Sequence, residues 1–220
     1  MFEQSIQPFT LIFVLAGLSV LPLIFVVSTA FLKISMVLMI LRNALGIQQM
    51  PPNIAVYSIA LISTLFVMTP VIEKMDKKFT ELETPINSMD SKEELSNKAT
   101  IVLQPLKEFI DDNSSPEIRE HFRDIASQLW KREVTVEESK NHLLIILPTF
   151  TISELEKAFK IGFLIYVPFV VIDLLISNIL LALGMQMVAP IMIATPVKIL
   201  LFVLIDGWTK VLDGLMLSYL

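Results

Sequence analysis

Three runs without a single Asp, Glu, Lys or Arg, residues 4–32, 43–72 and 174–197, surround one densely charged block. The hydrocarbon core of a bilayer is about 30 Å thick and takes roughly 20 helical residues to cross, so each run is long enough to span it. Residues 73–142 have the opposite character. They hold eleven Lys/Arg and sixteen Asp/Glu, a net −5, while the remainder holds six of each and sums to zero. The whole net charge therefore lies in that block. The pattern predicts an all-α, membrane-embedded chain with one soluble excursion: an apolar helical hairpin over residues 1–72, a polar helical insert over 73–142 and a second apolar helical hairpin over 143–220.

Composition excludes several function classes. Hydrophobic residues make up 54% of the 220, more than a water-soluble core of this size needs. Cysteine is absent, which removes disulfides and thiolate metal sites. The two histidines, His121 and His142, both lie in the insert and make a poor metal signature. An acidic balance gives no nucleic-acid footprint. The sequence shows no nucleophile paired with a base, no Gly-rich phosphate loop and no zincin helix. It predicts neither enzyme, cofactor nor metal site. The start Met1-Phe2-Glu3-Gln4 lacks the basic residues of a secretory signal. Ser28-Thr29-Ala30 has small residues at cleavage-site spacing, but the apolar helix pattern runs through it to Ile40, so the expectation is that the N-terminal helix is retained.

Breakers and caps set the expected organisation. The first apolar helix, kinked at Pro22, ends at Arg42-Asn43-Ala44-Leu45-Gly46, where glycine suits a left-handed helix end. Pro51-Pro52 blocks helix on both sides, and the next helix runs from about Asn53 to Ile72. The short link forces a hairpin. In the insert, Ser91-x-x-Glu94 and Thr135-x-x-Glu138 read as capping boxes, and Ser115-Pro116 as an N-cap followed by proline at the first helical position. Ile118, Phe122, Ile125 and Leu129 form an amphipathic stripe. The last apolar part reads as a helix over 161–183, a break from Gly184 to Pro190, and a helix to about Ile205.

Charges inside apolar surroundings are costly in lipid and usually face a partner or a cavity. Lys33, Asp173 and Lys198 are such residues. Three readings apply to them: helix-end charges reaching the interface, a structural ion pair within or between chains, and an ion relay. Asp173, Ser177 and Gly184 share a narrow seam suited to close helix packing. Glu154, Glu156, Lys157 and Lys160 read either as a solvated helix start or, through Glu154 and Lys157, as an inter-subunit contact. The corner formed by Arg42, Asn43, Gly46, Pro51 and Pro52 reads as a packing corner between subunits. By periodicity alone, Met185 and Met187 of the turn Gly184-Met185-Gln186-Met187-Val188 are flexible core filler.

The stretch Phe31–Val71, FLKISMVLMILRNALGIQQMPPNIAVYSIALISTLFVMTPV, closely resembles the export-apparatus family called SctR in injectisomes and FliP in flagella, and LRNALGIQQMPPN is its most specific part. A second block, Pro148 to Trp208, carries ISELEKAFKIGFLIYVPFVVIDLLISNILLALG and LLFVLIDGW, in the right order around an insert of the right kind. The resemblance implies a core component of a type III secretion system in the bacterial inner membrane, multi-pass, with the insert facing the periplasm. Charge alone leaves that orientation open, because loops of this length largely escape the positive-inside rule. It implies a ring of five copies that builds a closed helical export gate with SctS- and SctT-like subunits. Further implied partners are an SctU-like switch protein, an SctV-like export gate protein, inner-rod and needle subunits, basal-body rings, membrane lipid and the secreted polypeptides in transit.

The resemblance also implies that the helices are tilted, largely covered by neighbouring subunits and raised above the bilayer plane, where hydropathy alone reads four simple spans. It makes Met185, Gln186 and Met187 the pore constriction. Many relatives have three methionines in a row there; Gln186 replaces the middle one, leaving a seal less uniformly apolar. The flagellar branch usually starts with a cleavable signal, so the injectisome branch is expected. A rival from another class is an ion-coupled secondary transporter working through Lys33 and Asp173. Such a carrier would bind a small solute when purified alone, whereas a gate subunit would purify as a large oligomer.

Overall fold

A computed structural model describes residues 8–47, 50–82 and 92–220. Among these residues every regular element is helical. In chain order they are α1 (Pro8–Ser28), α2 (Phe31–Ala44), α3 (Asn53–Glu81), α4 (Lys92–Asp112), α5 (Pro116–Trp130), α6 (Val136–Asn141), α7 (Leu143–Ala182), α8 (Ile191–Leu204) and α9 (Gly207–Leu217).

The first apolar run is not one helix kinked at Pro22. Pro22 sits inside α1, and the chain turns by 71° between α1 and α2. The cause is local chemistry at Ser28 and Thr29. Their hydroxyls donate to the carbonyls of Ile24 and Phe25, each at 2.7 Å, a back-bonding pattern that competes with the helix ladder. Thr151 of α7 donates its hydroxyl to the Leu147 carbonyl of its own helix at 2.7 Å, and the same oxygen lies 3.4 Å from the Val27 carbonyl near the break.

α2 is the centre of the fold. Ala30, Ile34, Val37, Leu38, Leu41, Ala44 and Leu45 are buried with Val56 and Ala60 of α3, Ala158 and Phe169 of α7, Phe202 of α8 and Leu215 of α9. α7 lies close along α2: a Cβ built on Gly162 would meet Ile40 Cδ1 at 2.5 Å. Small residues allow this approach where lipid supplies no hydrophobic drive between helices.

α7 is a continuous helix of 40 residues, about 60 Å long at 1.5 Å per residue. It runs unbroken through Glu154–Lys160, where the sequence suggests a helix start. Among the described residues α3 and α7 are each long and apolar enough to cross a membrane, and counting each of the bent pairs α1/α2 and α8/α9 as one span gives up to four.

The insert packs onto the start of α7. Ile110 of α4 is buried with Ile146 and Phe150, and Ala126 of α5 with Val134 and Ile145. The divisions at 72/73 and 142/143 are therefore not breaks in packing, since α3 continues to Glu81 and α7 supplies half of the insert's core. Thr135 caps α6, its Oγ1 accepting from the Glu138 N–H at 3.2 Å. Ser115 precedes Pro116 as expected, but its hydroxyl makes no cap; its N–H donates to Ser153 Oγ at 2.9 Å and docks the insert on α7. Of the expected stripe on α5, Leu129 is exposed and the buried residue is Ala126. Ser91, the expected cap of the Ser91-x-x-Glu94 box, lies outside the described residues, as do Gln48 and Gln49 of the hairpin link and the segment Met1–Gln4.

Candidate functional site

Three constellations hold the polar chemistry of the apolar part. The first is a buried cluster around Glu154. α2 places Lys33 and α7 places Glu154 so that Nζ and Oε2 stand 3.5 Å apart, with the side chains 1% and 0% exposed. Lys157, one turn along α7, donates to Glu154 Oε1 at 3.1 Å and to the Asn113 carbonyl of the insert at 2.7 Å. Tyr219 donates its hydroxyl to Glu154. Lys33 Nζ lies 3.4 Å from the centroid of the Tyr219 ring, whose other neighbour is Phe109 of the insert, stacked at 5.7 Å. Removing charges from water is costly unless each is paired and its remaining hydrogen-bonding groups are used; here the carboxylate receives three donors or cations and Lys33 gains an aromatic face.

The second is centred on Lys198 of α8. Its Nζ lies 2.5 Å from Asp173 Oδ2 of α7 and donates to the Ala44 carbonyl, at the end of α2, at 3.1 Å. A cation at that place suits the negative end of the helix. Lys198 is enclosed, but the Asp173 side chain is 43% exposed, at a cleft of about 370 Å³ lined by Asn43, Gly46, Ile47, Tyr166, Pro190 and Ile191. Lys33 and Asp173 are thus not partners of each other; each has an opposite charge elsewhere in its own chain. Ser177 turns to its own helix and donates to the Asp173 carbonyl at 2.7 Å.

The hairpin corner sits beside this cluster. Arg42 Nη1 donates to Asn53 Oδ1 at 2.5 Å and to the Pro51 carbonyl at 3.3 Å, tying the end of α2 to the start of α3. Gly46 has φ +76°, and a Cβ there would meet Thr195 Oγ1 at 2.9 Å. Asn43 and Pro52 face outward and Pro51 is half-buried. Of the residues read as inter-subunit contacts, Glu154 is wholly enclosed by its own chain and Arg42 is buried in the corner; Asn43, Pro52 and part of Lys157 remain open.

The third is the turn between α7 and α8. Gly184, at φ +73°, ends α7. The Gly184 N–H donates to the Leu181 carbonyl at 3.1 Å and the Met185 N–H to the Leu180 carbonyl at 2.9 Å, the double bond pattern of a glycine-terminated helix. Met185, Gln186 and Met187 then project from the fold, with Met187 fully exposed. They are not packed in the chain's own core, the place that periodicity alone assigns them. Chemically the tip offers two thioethers and an amide, and no charge. Among the described residues no cluster of three or more His, Cys, Asp or Glu could hold a metal ion.

The sequence model of the FliP family matches residues 14–215, nearly the whole chain. The chain belongs to the FliP family. Three relatives of the same kind align over almost their full lengths. The harpin secretion protein HrcR of Erwinia amylovora is 49% identical over 217 residues, 99% of each chain. The Yop proteins translocation protein R of Yersinia pestis is 46% identical over 209 residues, 95% of each chain. The virulence protein YscR of Salmonella typhimurium is 43% identical over 218 residues, 97% of each chain. Within this FliP-family chain, sequence reasoning missed Tyr219 altogether and did not join Glu154 to Lys33. A signal existed for Glu154: it ends the uncharged stretch of residues 143–153 of α7, whereas Glu156 and Lys160 satisfy each other in the open at 2.6 Å.

Proposed function

We propose that this chain is a core subunit of a type III secretion export gate in the bacterial inner membrane, which together with its partners forms the pore that secreted polypeptides cross unfolded. The observation that carries this reading is the near full-length similarity to proteins named for secretion and translocation. In the proposed assembly five copies form a ring with SctS- and SctT-like subunits, and the insert faces the periplasm. The export-gate, switch, rod and needle proteins and the basal-body rings surround it.

The physical features agree with a conduit built from several chains. At about 60 Å, α7 is twice the thickness of a bilayer core, so lipid cannot cover all of its apolar face. Phe163, Leu164, Leu174 and Leu175 are all exposed on it, and large exposed apolar surface marks a contact with protein or membrane. The intramembrane charges Lys33 and Asp173 each have a charged partner in the same chain, which supports a structural role over an ion relay. The uncharged tip Met185–Met187 suits a closure that excludes water without electrostatics.

Deletion of the gene tests the reading. Secretion of the system's substrates into the medium is expected to stop and to return with the intact chain supplied in trans. Normal secretion in the deletion strain would contradict the proposal.

A further inference from the structure

Outside the insert, every charged side chain on α2, α7 and α8 has a partner within its own chain. The C-terminal helix is different. Asp206, just before α9, and Lys210 and Asp213 within it share one helix face at i, i+4 and i+7, and all three are exposed. Among the described residues none of these three side chains has an ion pair or a hydrogen bond. The opposite face of α9 is packed on the central core through Trp208, Val211, Leu212 and Leu215. Charges left unanswered among apolar helices are costly in lipid and usually face a partner. This face carries two acids against one base, so it calls for a cation. It also carries Gly214, where an added Cβ would meet nothing within 4 Å. Glycine weakens a helix but leaves room for a second helix to come close.

We propose that the exposed face of α9 in one copy docks on the exposed face of α7 in the next copy, with Asp213 meeting Lys160. The Lys160 side chain is 71% exposed, and it pairs with Glu156 at 2.6 Å. An ammonium has three donors, so a second carboxylate can join the first. Phe159, Phe163 and Leu164 stand exposed beside it on α7, and Leu217 stands exposed on α9, which gives the contact an apolar margin. The two charges also stand at one level. α8 and α9 run back along α7: Phe202 packs against Phe169 with ring centroids 6.3 Å apart, and further on Tyr219 donates to Glu154. Lys160 follows Glu154 by six residues, and Asp213 precedes Tyr219 by six. Each is therefore about 9 Å from that shared contact, on the side away from the insert. Copies in a ring meet through two different surfaces of the same chain, and groups of equal height then oppose each other. The inference rests on the ring of identical copies proposed above and adds which faces meet. Complementary charge fixes the register of such a contact.

The chain contains no cysteine, so introduced thiols report the contact directly. Lys160→Cys and Asp213→Cys are placed in one full-length chain, and native membranes holding the whole apparatus are treated with a short thiol-to-thiol cross-linker. Dimers and higher multiples of the chain are expected on a denaturing gel, and neither single replacement is expected to give them. Exchange of charge is the second measurement. Glu156→Lys with Lys160→Glu keeps an ion pair on α7 but turns an acid toward Asp213. The amount of multi-copy complex, read by native mass spectrometry in detergent, is expected to fall severalfold and to return when Asp213→Lys is added. A multi-copy complex of normal mass whose double-cysteine chain gives no cross-linked multiples overturns this inference and leaves the ring proposal intact. Failure of Asp213→Lys to restore the complex overturns the pairing of Asp213 with Lys160. A chain that is a lone copy in native membranes overturns both the ring and this contact.

Discussion

Lys33 of α2 and Glu154 of α7 face each other across 3.5 Å with both side chains closed off from solvent. Glu154 also receives Lys157 and the Tyr219 hydroxyl, so one carboxylate joins the central helix, the longest helix, the insert and the C-terminal segment. Glu154→Ala leaves Lys33 buried without its anion, and it is expected to cost about 3–5 kcal/mol of folding stability. The pair replacement Lys33→Met with Glu154→Leu removes both charges and should lie closer to the unmutated chain. Asp173→Ala should cost less than Glu154→Ala, because Asp173 is part-exposed and Lys198 keeps the Ala44 carbonyl. Thermal unfolding in detergent, followed by circular dichroism, ranks the four proteins. A double replacement as damaging as Glu154→Ala alone would count against this account of the cluster.

Gly46 is needed for two separable reasons, its positive φ and its contact with Thr195. A β-branched residue is poorly tolerated at positive φ, so Gly46→Val is expected to lose folded protein. Gly46→Ala should lose less, and adding Thr195→Ala should recover the part due to the contact. Yield of monodisperse protein on a sizing column reads the series. Recovery to full yield would mean that backbone strain plays no part.

The insert should show a defined acid limb. The hydrogen bonds from Arg132 hold the Glu138 carboxyl below its ordinary value. A carboxylate lowered in the folded state contributes stability that is fully present above its unfolded pKa and lost as pH falls through its folded one. Stability of the insert is therefore expected to fall in acid, below the usual carboxylate range, and Glu138→Gln should flatten that limb by lowering stability at neutral pH while leaving the acid end least affected. Helix content of the full chain between about pH 2 and pH 6 measures it. An unchanged acid limb in Glu138→Gln would remove Glu138 from the explanation.

How much of this was legible in the sequence varies with the range of the interactions. Gly184, Pro116, Thr135 and the positive φ of Gly46 act through their own neighbours, and their turns and helix starts were readable from local chemistry; the contact of Gly46 with Thr195 was not. The uncharged runs likewise announced apolar helices. The bend at Ser28–Thr29 was not readable, because no glycine or proline marks it and hydroxyl back-bonding of this kind is also tolerated inside helices, as at Thr64. The pairing of Lys33 with Glu154, and of Asp173 with Lys198, was hidden for a different reason: each partner is supplied by another helix. Glu154 reads as a surface charge because Glu156, Lys157 and Lys160 follow it closely in sequence, while one face of α7 turns it inward.

The methionine turn gives a functional prediction. Met185 and Met187 project from the end of α7 without support from their own core. Repeated around a ring, thioethers of this kind can exclude water and still move aside for a chain in transit. Met185→Ala combined with Met187→Ala is expected to leave assembly intact and raise leakage of small ions, read as conductance across a membrane holding the complex. An assembled double variant as tight as the unmutated complex would make these side chains packing residues only.

The mass of the complex extracted from native membranes in mild detergent tests the central claim most directly. Native mass spectrometry on the tagged chain is expected to find five copies bound to SctS- and SctT-like subunits. A single copy, or a homodimer carrying only a small solute, would contradict the account.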